Sequence, residues 1–456
     1  DGPKDKQDGG SISFRGPKEG KIMNRRDFLK GMAVAGAASV AGGLDMVPVL
    51  GTSPKAHAAS GRNKLVFISD LHMNVDGTYS WLVKHAPDLA RFLNNLNQRD
   101  DVAELIILGD LLDDWVCPVA YTPQTFSDVL SANYSNGVVP ALQAICNNSN
   151  IDVTYVTGNH DMLSFKSENK DVISHAFPNM NIISNSPGLG AYTKDNIIWA
   201  EHGHRYTLFN APDIWSRSGG HLPMGYFISR FAASKSLSEG RVYTTPEVLD
   251  LFISSPSEVQ EYFTQAGYTD TPGSVIDDAL IIAVFNAIGL WSGNGPLSQF
   301  NMNKLDGFTD DPMVETIAFM YDAIFSGWPS RQNIVSHYEA VFNELGHLNS
   351  AANLLFKMPE RISDLYPFTP RIILFGHTHE AAFQYHSDDV ETIYVNTGTW
   401  IDKKPNMTWA EIEMVDGPSG QRDYTVSLWF NDEQTPRHSD TISVQQEKED
   451  YIPRHR

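Results

Sequence analysis

Five apolar runs of strand length in this chain each end in side chains of the kind that bind metals. Residues 64–69 lead into Asp70-Leu71-His72, and residues 104–108 into Gly109-Asp110-Leu111-Leu112-Asp113. Residues 152–156 lead into Gly158-Asn159-His160-Asp161, 196–200 into Glu201-His202-Gly203-His204, and 371–375 into Gly376-His377-Thr378-His379. Short runs rich in β-branched residues and bounded by glycine or polar positions read as buried strands. A sixth such run covers 392–395. Helical spacing over 81–97 and 125–147 separates the first three, so the layout predicts a parallel or mixed sheet covered by helices. Ligands of open α/β sheets bind beyond the carboxyl ends of the strands, where these five ends converge.

Taken singly, the motifs differ in weight. Asp-x-His after a strand and Gly-Asp are common in loops, and an Asp there also suits a helix cap. Gly-Asn-His-Asp and Gly-His-x-His say more, because alternate histidines can turn toward one ion. A lone His202 is more often a satisfied structural histidine than a ligand. It is the combination, each member after an apolar run, that carries the signal.

The rest of the chain limits the alternatives. Two cysteines in 456 residues exclude a disulfide scaffold and a thiolate zinc site, which leaves the chemistry to 15 histidines and the carboxylates. Cys117 and Cys146 read as free, packed thiols rather than a pair. With 34 basic against 55 acidic residues the formal charge is −21. An acidic surface disfavours a protein held on nucleic-acid phosphates. A hydrophobic fraction of 41% is that of a globular chain.

The N-terminal segment reads as an address. Asn24-Arg25-Arg26-Asp27-Phe28-Leu29-Lys30 precedes an Ala/Gly-rich stretch to about residue 43, and Ala56-His57-Ala58 supplies a small-residue cleavage site. Paired arginines before Phe and Leu resemble a twin-arginine signal, a route that carries folded proteins and makes the twin-arginine export machinery a partner. The expectation is an exported bacterial protein, periplasmic or extracellular, with no stable membrane span. Residues 1–22 read equally as a long n-region or as residues ahead of a natural start at Met23. Removing residues 1–58, with nine basic and six acidic side chains, takes the charge to −24.

The expected organisation is a signal segment over 1–58, a core over 59–204 and 366–440, a helical insertion or cap over 205–365, and a loose tail over 441–456. The insertion rests on apolar spacing near 3.6 at 248–252, 259–265, 275–288, 313–325 and 334–345. Its aromatic residues read chiefly as its own core. Alternating segments around a Gly/Pro turn near 416–420 predict a hairpin within 408–430.

Together the five motifs resemble the signature of the calcineurin-like metallophosphoesterases: D-x-H, G-D-x-x-D, G-N-H-[D/E], a lone H, and G-H-x-H. All are present, spanning residues 70–379. The resemblance implies an α/β fold: a two-sheet β-sandwich flanked by helices (four layers, α/β/β/α), here with a mainly helical insertion. It also implies a dinuclear site. One metal would take Asp70, His72 and His379; the other Asn159, His202 and His377; Asp110 would bridge them. His202 matches the lone histidine because it follows the strand directly. His160 falls where the family has a non-ligand histidine that stabilises or protonates the phosphoryl oxygens, and Asp161 could orient it. Asp113 reads either as the partner of a ligand histidine or as helix N-terminal charge. His204, Arg205 and His221 are candidate substrate contacts, each also readable as a surface or cap-core residue.

The implied chemistry suits these residue types. Two divalent cations can hold a bridging hydroxide that attacks phosphorus and can stabilise both reacting oxygens. Imidazoles with few carboxylates suit Mn, Fe, Zn or Co rather than Mg or Ca. The ions would invert the local field, so an acidic protein could take a small phosphorylated substrate, whether phosphomonoester, phosphodiester or pyrophosphate. Gly-Asp-Leu-Leu-Asp-Asp-Trp115 and His-Gly-His-Arg205-Tyr206 are similar to the lipid-linked UDP-sugar pyrophosphatase branch. That branch often has Arg in place of His160 and lacks so long an insertion. A non-catalytic binding protein that kept the fold, a nucleotide or lipid-linked sugar pyrophosphatase, and a nuclease are the competing readings. The acidic surface weighs against the nuclease.

Overall fold

The structure, a computed structural model, describes residues 61–118, 120–185, 189–212, 222–244, 368–387, 390–404 and 407–445, with single positions at 247, 335, 340, 343, 348 and 349. The signal segment over 1–58, His221 and most of the expected insertion, with nearly all of its five helical patterns, lie outside the described residues.

The first sheet has seven strands. In chain order these are β1 (Lys64–Ile68), β2 (Val102–Leu108), β3 (Asp152–Val156), β4 (Met180–Ile183), β10 (Thr408–Asp416), β11 (Gln421–Phe430) and β12 (His438–Gln445). Their spatial order is β12-β11-β10-β1-β2-β3-β4. β1 to β4 run parallel, and the last three strands form an antiparallel meander joined to β1. The second sheet contains β5 (Tyr192–Lys194), β6 (Ile198–Ala200), β7 (Ile372–Phe375), β8 (Ala382–His386) and β9 (Thr392–Asn396), in the order β5-β6-β7-β9-β8. β6, β7 and β9 are mutually parallel.

Two apolar layers explain why the strands read as unbroken hydrophobic runs. Leu65 and Phe67 of β1, with Ile106 and Leu108 of β2, pack against Ile372, Leu374, Ile393 and Val395 of the second sheet. The alternate residues Val66, Ile68, Leu105 and Ile107 face the opposite way into a helical layer. That layer is built from α1 (Ala86–Asn97), α2 (Phe126–Ala132), α3 (Val138–Cys146) and α4 (Ser167–Ala176). Burial on both faces leaves no polar alternation. The architecture is two mixed sheets with flanking helices, as the sequence predicts.

Several boundaries differ from expectation. The helix expected over 81–97 starts at Ala86, behind Pro87 at its first turn. The Asp402 carboxylate accepts hydrogen bonds from the Val83, Lys84 and His85 amides there, at 2.9–3.1 Å. The helix expected over 125–147 is two helices. Thr125 and Asp128 form a capping box for α2, and Gly137 breaks the run at φ 90°. Residues 441–445, placed in a loose tail, belong to β12, whose Ile442 is buried against Tyr424 and Val426. Within the expected insertion, α5 (Met224–Glu239) is helical and ends at Gly240 in the left-handed region. Among the described residues no helix is long and apolar enough to cross a membrane.

Candidate metal centre

The carboxyl ends of β1, β2 and β3 in one sheet and of β6 and β7 in the other deliver the five motifs to one buried place. Eight described non-glycine residues have positive φ, and five of them are Asp70, His72, Asp110, His377 and His379. Left-handed backbone at a non-glycine residue is a cost carried where the surroundings fix it, typically at functional sites. Here it lets Asp70 and His72, and likewise His377 and His379, turn toward the same centre from alternate positions. The motif glycines are set by close approach. A Cβ on Gly158 would strike the Asp110 carboxylate, and one on Gly376 would strike Ser69 and Asp70.

Two groups of donor atoms result. In the first, donor atoms of Asp70, His72, Asp110 and His379 all lie within 4.8 Å of one another. His379 Nε2 is 3.2 Å from Asp70 Oδ1, and the Nε2 atoms of His72 and His379 face each other at 3.0 Å. In the second, Asn159 Oδ1 is 3.0 Å from both His202 Nε2 and His377 Nδ1. Asp110 Oδ2 stands between the groups, 3.2 Å from His202 Nε2 and 3.5 Å from His72 Nε2.

Proton positions follow from the outer partners. His202 Nδ1 donates to the Leu108 carbonyl at 2.7 Å, so in the neutral ring its Nε2 carries a lone pair. The Thr207 hydroxyl donates to the His204 carbonyl at 3.0 Å and lies 3.1 Å from His377 Nε2. His377 Nε2–H therefore donates to Thr207, and Nδ1 presents a lone pair. His72 Nδ1 donates to Asp113 Oδ2 at 3.0 Å, which in the neutral ring leaves Nε2 with a lone pair. With the imidazoles neutral, lone pairs of His202, His377, Asn159 and Asp110 would converge on one place. Such a constellation fits cations of the N/O-preferring transition series.

The electrostatics carry the same strain. Burial opposes charge on His72, yet hydrogen bonds to Asp113 and Asp70 and the field of Asp110 raise it to about 10. Burial also opposes charge on His202, and Asp110 and Asp70 raise it to about 9. Burial and the neighbouring His202 push His377 down to about 3. Asp70 and Asp110 stay ionised against burial because the histidines lower them. Without bound cations, protons on His72 and His202 balance these carboxylates.

The non-ligand candidates sort differently from expectation. His160 Nδ1 meets Asp113 Oδ1 at 3.0 Å, so Asp113, not Asp161, orients that ring. Asp161 instead accepts backbone N–H groups from Gly158 at 2.6 Å and Leu111 at 2.8 Å, tying the ends of β2 and β3 together. Burial and the charge of Asp110 raise it to about 7. Asp113 starts no helix; its Oδ1 accepts the Trp115 and Val116 amides while its two oxygens hold His160 and His72. The His160 ring packs on Trp115 at 4.7 Å and Trp81 at 5.2 Å.

Among the expected substrate contacts, the buried His204 ring sits 5.4 Å from His202. Arg205 is buried and pairs with Glu201, Nε to Oε2 3.1 Å. Tyr206 donates to the other Glu201 oxygen. Sequence reasoning gave no role to Trp115, quoted only at the end of a motif, and missed Trp81, Thr207 and Asn210, whose Oδ1 accepts from Asn159 Nδ2 at 3.3 Å. No motif marks the last three; each acts through a contact between loops.

Residues 64–258 match the family model for calcineurin-like phosphoesterase, and residues 23–42 match the twin-arginine translocation pathway signal sequence. No curated protein matches the chain. Among solved structures, a dimetal phosphatase from Danio rerio is similar at 13% identity and a TM-score of 0.35, covering 84% of this chain and 99% of its own. Vps29 from Chaetomium thermophilum is similar at 8% identity and a TM-score of 0.23, covering 86% and 97%. Both superpositions are too loose to carry any argument.

Proposed function

We propose, from the match of residues 64–258 to the calcineurin-like phosphoesterase family model, that this chain is a metal-dependent hydrolase of a phosphoester bond in a small phosphorylated substrate. Its twin-arginine signal indicates export across a membrane, and we place the mature protein in the periplasm or outside the cell. The observation that carries the reading is the meeting of metal-ligand atoms: His202 Nε2 and His377 Nδ1 each 3.0 Å from Asn159 Oδ1, with Asp110 Oδ2 beside them.

Asp70, His72 and His379 would hold one divalent transition-metal ion and Asn159, His202 and His377 the other, with Asp110 shared. Such a pair supplies positive charge for the phosphoryl oxygens and a more acidic water for attack. The chain's own groups do the rest. Asp113 fixes His160 through Nδ1, so that Nε2 can hold or deliver a proton at the oxygen that departs from phosphorus. Trp81 and Trp115 exclude water from the other sides of that ring. Outer partners keep each ligand histidine in one tautomer: Asp113 for His72, the Leu108 carbonyl for His202, Thr207 for His377.

The test is metal content per chain together with hydrolysis of generic mono- and diester substrates, with and without chelator. About two transition-metal ions and chelator-sensitive turnover are expected. Metal-free protein as isolated, or turnover indifferent to Asp110→Asn, would overturn the reading.

A further inference from the structure

Arg230, in the middle of α5, has a fully buried guanidinium group. Its Nε donates to the Cys117 carbonyl at 2.6 Å, and Nη2 donates to the carbonyls of Pro118 at 3.1 Å and Tyr121 at 2.8 Å. Nη1 donates to the Tyr226 hydroxyl one helical turn earlier, at 2.7 Å. A planar fork that gathers three carbonyls of one loop fixes the path of that loop. The loop is the continuation of Asp113, and it carries Trp115.

Trp115 is where the two ends of the connection meet. One side of its ring packs on His160 at 4.7 Å and 31°. Tyr226 of α5, itself bonded to Arg230, approaches edge-on at 5.9 Å and 88°. Trp81, the second tryptophan beside His160, is also held from this helix. It clusters with Ala233 of α5, and its Nε1 donates to the Tyr243 carbonyl just beyond the helix end, at 3.2 Å. Helix α5 therefore contacts both tryptophans that confine His160, while touching none of the proposed metal ligands through Arg230.

We infer that Arg230 is a positioning residue: by clamping Cys117, Pro118 and Tyr121 to α5 it sets Trp115 against His160 and so fixes the imidazole relative to the reacting phosphoryl group. This rests on the phosphoesterase reading above. Small displacements of a positioned catalytic group are costly in rate, so the effect belongs in turnover rather than in substrate affinity.

The experiment uses the full metal-loaded chain and bis(4-nitrophenyl) phosphate and 4-nitrophenyl phosphate as probes. Arg230→Met should lower kcat about tenfold or more, with KM and metal content near the wild-type values. Arg230→Lys should recover part of the loss. Tyr226→Phe keeps the ring against Trp115 and removes one hydroxyl from Arg230; it is the milder variant should Arg230→Met fail to fold, and about a fivefold fall in kcat is expected. In a Trp115→Ala background Arg230→Met should add little, because both act through one contact. Additive losses, a fall confined to KM, or unchanged kcat would overturn the inference. Trp115 fluorescence, taken as the difference from Trp115→Phe, gives a readout independent of turnover. It should shift to the red and become quenchable by acrylamide in Arg230→Met. If the wild type hydrolyses neither probe, the phosphoesterase reading fails, and an unchanged Trp115 signal in Arg230→Met then overturns the clamp as well.

Discussion

At the scale of single residues, the site separates atoms that hold charge from atoms that hold geometry. Asp113 does the second task for two histidines at once, with one oxygen for His72 and the other for His160. His160→Gln should therefore cut turnover about a hundredfold or more while metal content stays near that of the wild type. Loss of metal in that variant, read by elemental analysis, would show that His160 is a ligand. Thr207→Val removes the acceptor for His377 Nε2–H and should weaken one of two metal sites about 10- to 100-fold, seen as a lower stoichiometry after dialysis. The sequence makes the motif residues readable because each follows an apolar run. It does not say which carboxylate meets which imidazole. Asp161 is adjacent to His160 in the chain, yet its oxygens are used by the Gly158, Leu111 and Leu112 amides. That choice depends on how the ends of β2 and β3 lie together, which no local pattern encodes.

At the scale of elements, strands were the readable part and helix ends the less readable part. β1, β2, β3, β7 and β9 fall on the apolar runs to within a residue or two, because burial on both faces leaves a continuous signal. The break between α2 and α3 hides in periodicity that runs through it; Asn133 turns its amide onto the Asn74 carbonyl at 2.7 Å, and Gly137 takes the left-handed turn. The contact of α5 with the site was not readable at all, since an amphipathic pattern gives a buried face without naming what it packs on. Between elements, the motif glycines are contact points. Gly158→Ala must push the Asp110 carboxylate aside, so it should destabilise the fold by about 1–3 kcal/mol and lower metal content together. Thermal unfolding and elemental analysis on the same sample check this; a drop in stability with full metal content would place the strain elsewhere.

At the scale of the whole molecule, stability and metal content are linked through the same buried groups. In metal-free protein His72 and His202 are raised above the ordinary histidine value of 6.5, to about 10 and about 9. Their contribution is complete below 6.5 and is lost as pH rises toward those values. Asp113 is held below its ordinary 3.8 against burial, by His160 and His72, so its contribution is present above 3.8 and declines as pH falls below it. Metal-free protein should accordingly unfold at progressively lower temperature between about pH 7 and 10, whereas metal-loaded protein should not. Metal uptake near neutral pH should release protons, measurable in a weakly buffered titration. Cys117 and Cys146 are both buried, and burial raises the Cys146 thiol to about 12. A thiol reagent should find both only after denaturation.

The place of β1 in its sheet has a further consequence in time. Its neighbours are β2, made soon after it, and β10, whose Thr408–Asp416 is made more than three hundred residues later. His377 and His379 are late as well. Until they emerge from the ribosome, an apolar edge at the centre of the sheet stays open and Asp70 faces no histidine from the far end of the chain. The address at residues 23–42 is thus legible long before the cargo it labels is finished. A transport route that accepts only completed folds turns that delay into a checkpoint: chains shortened ahead of Thr408 should carry an intact signal and still be retained.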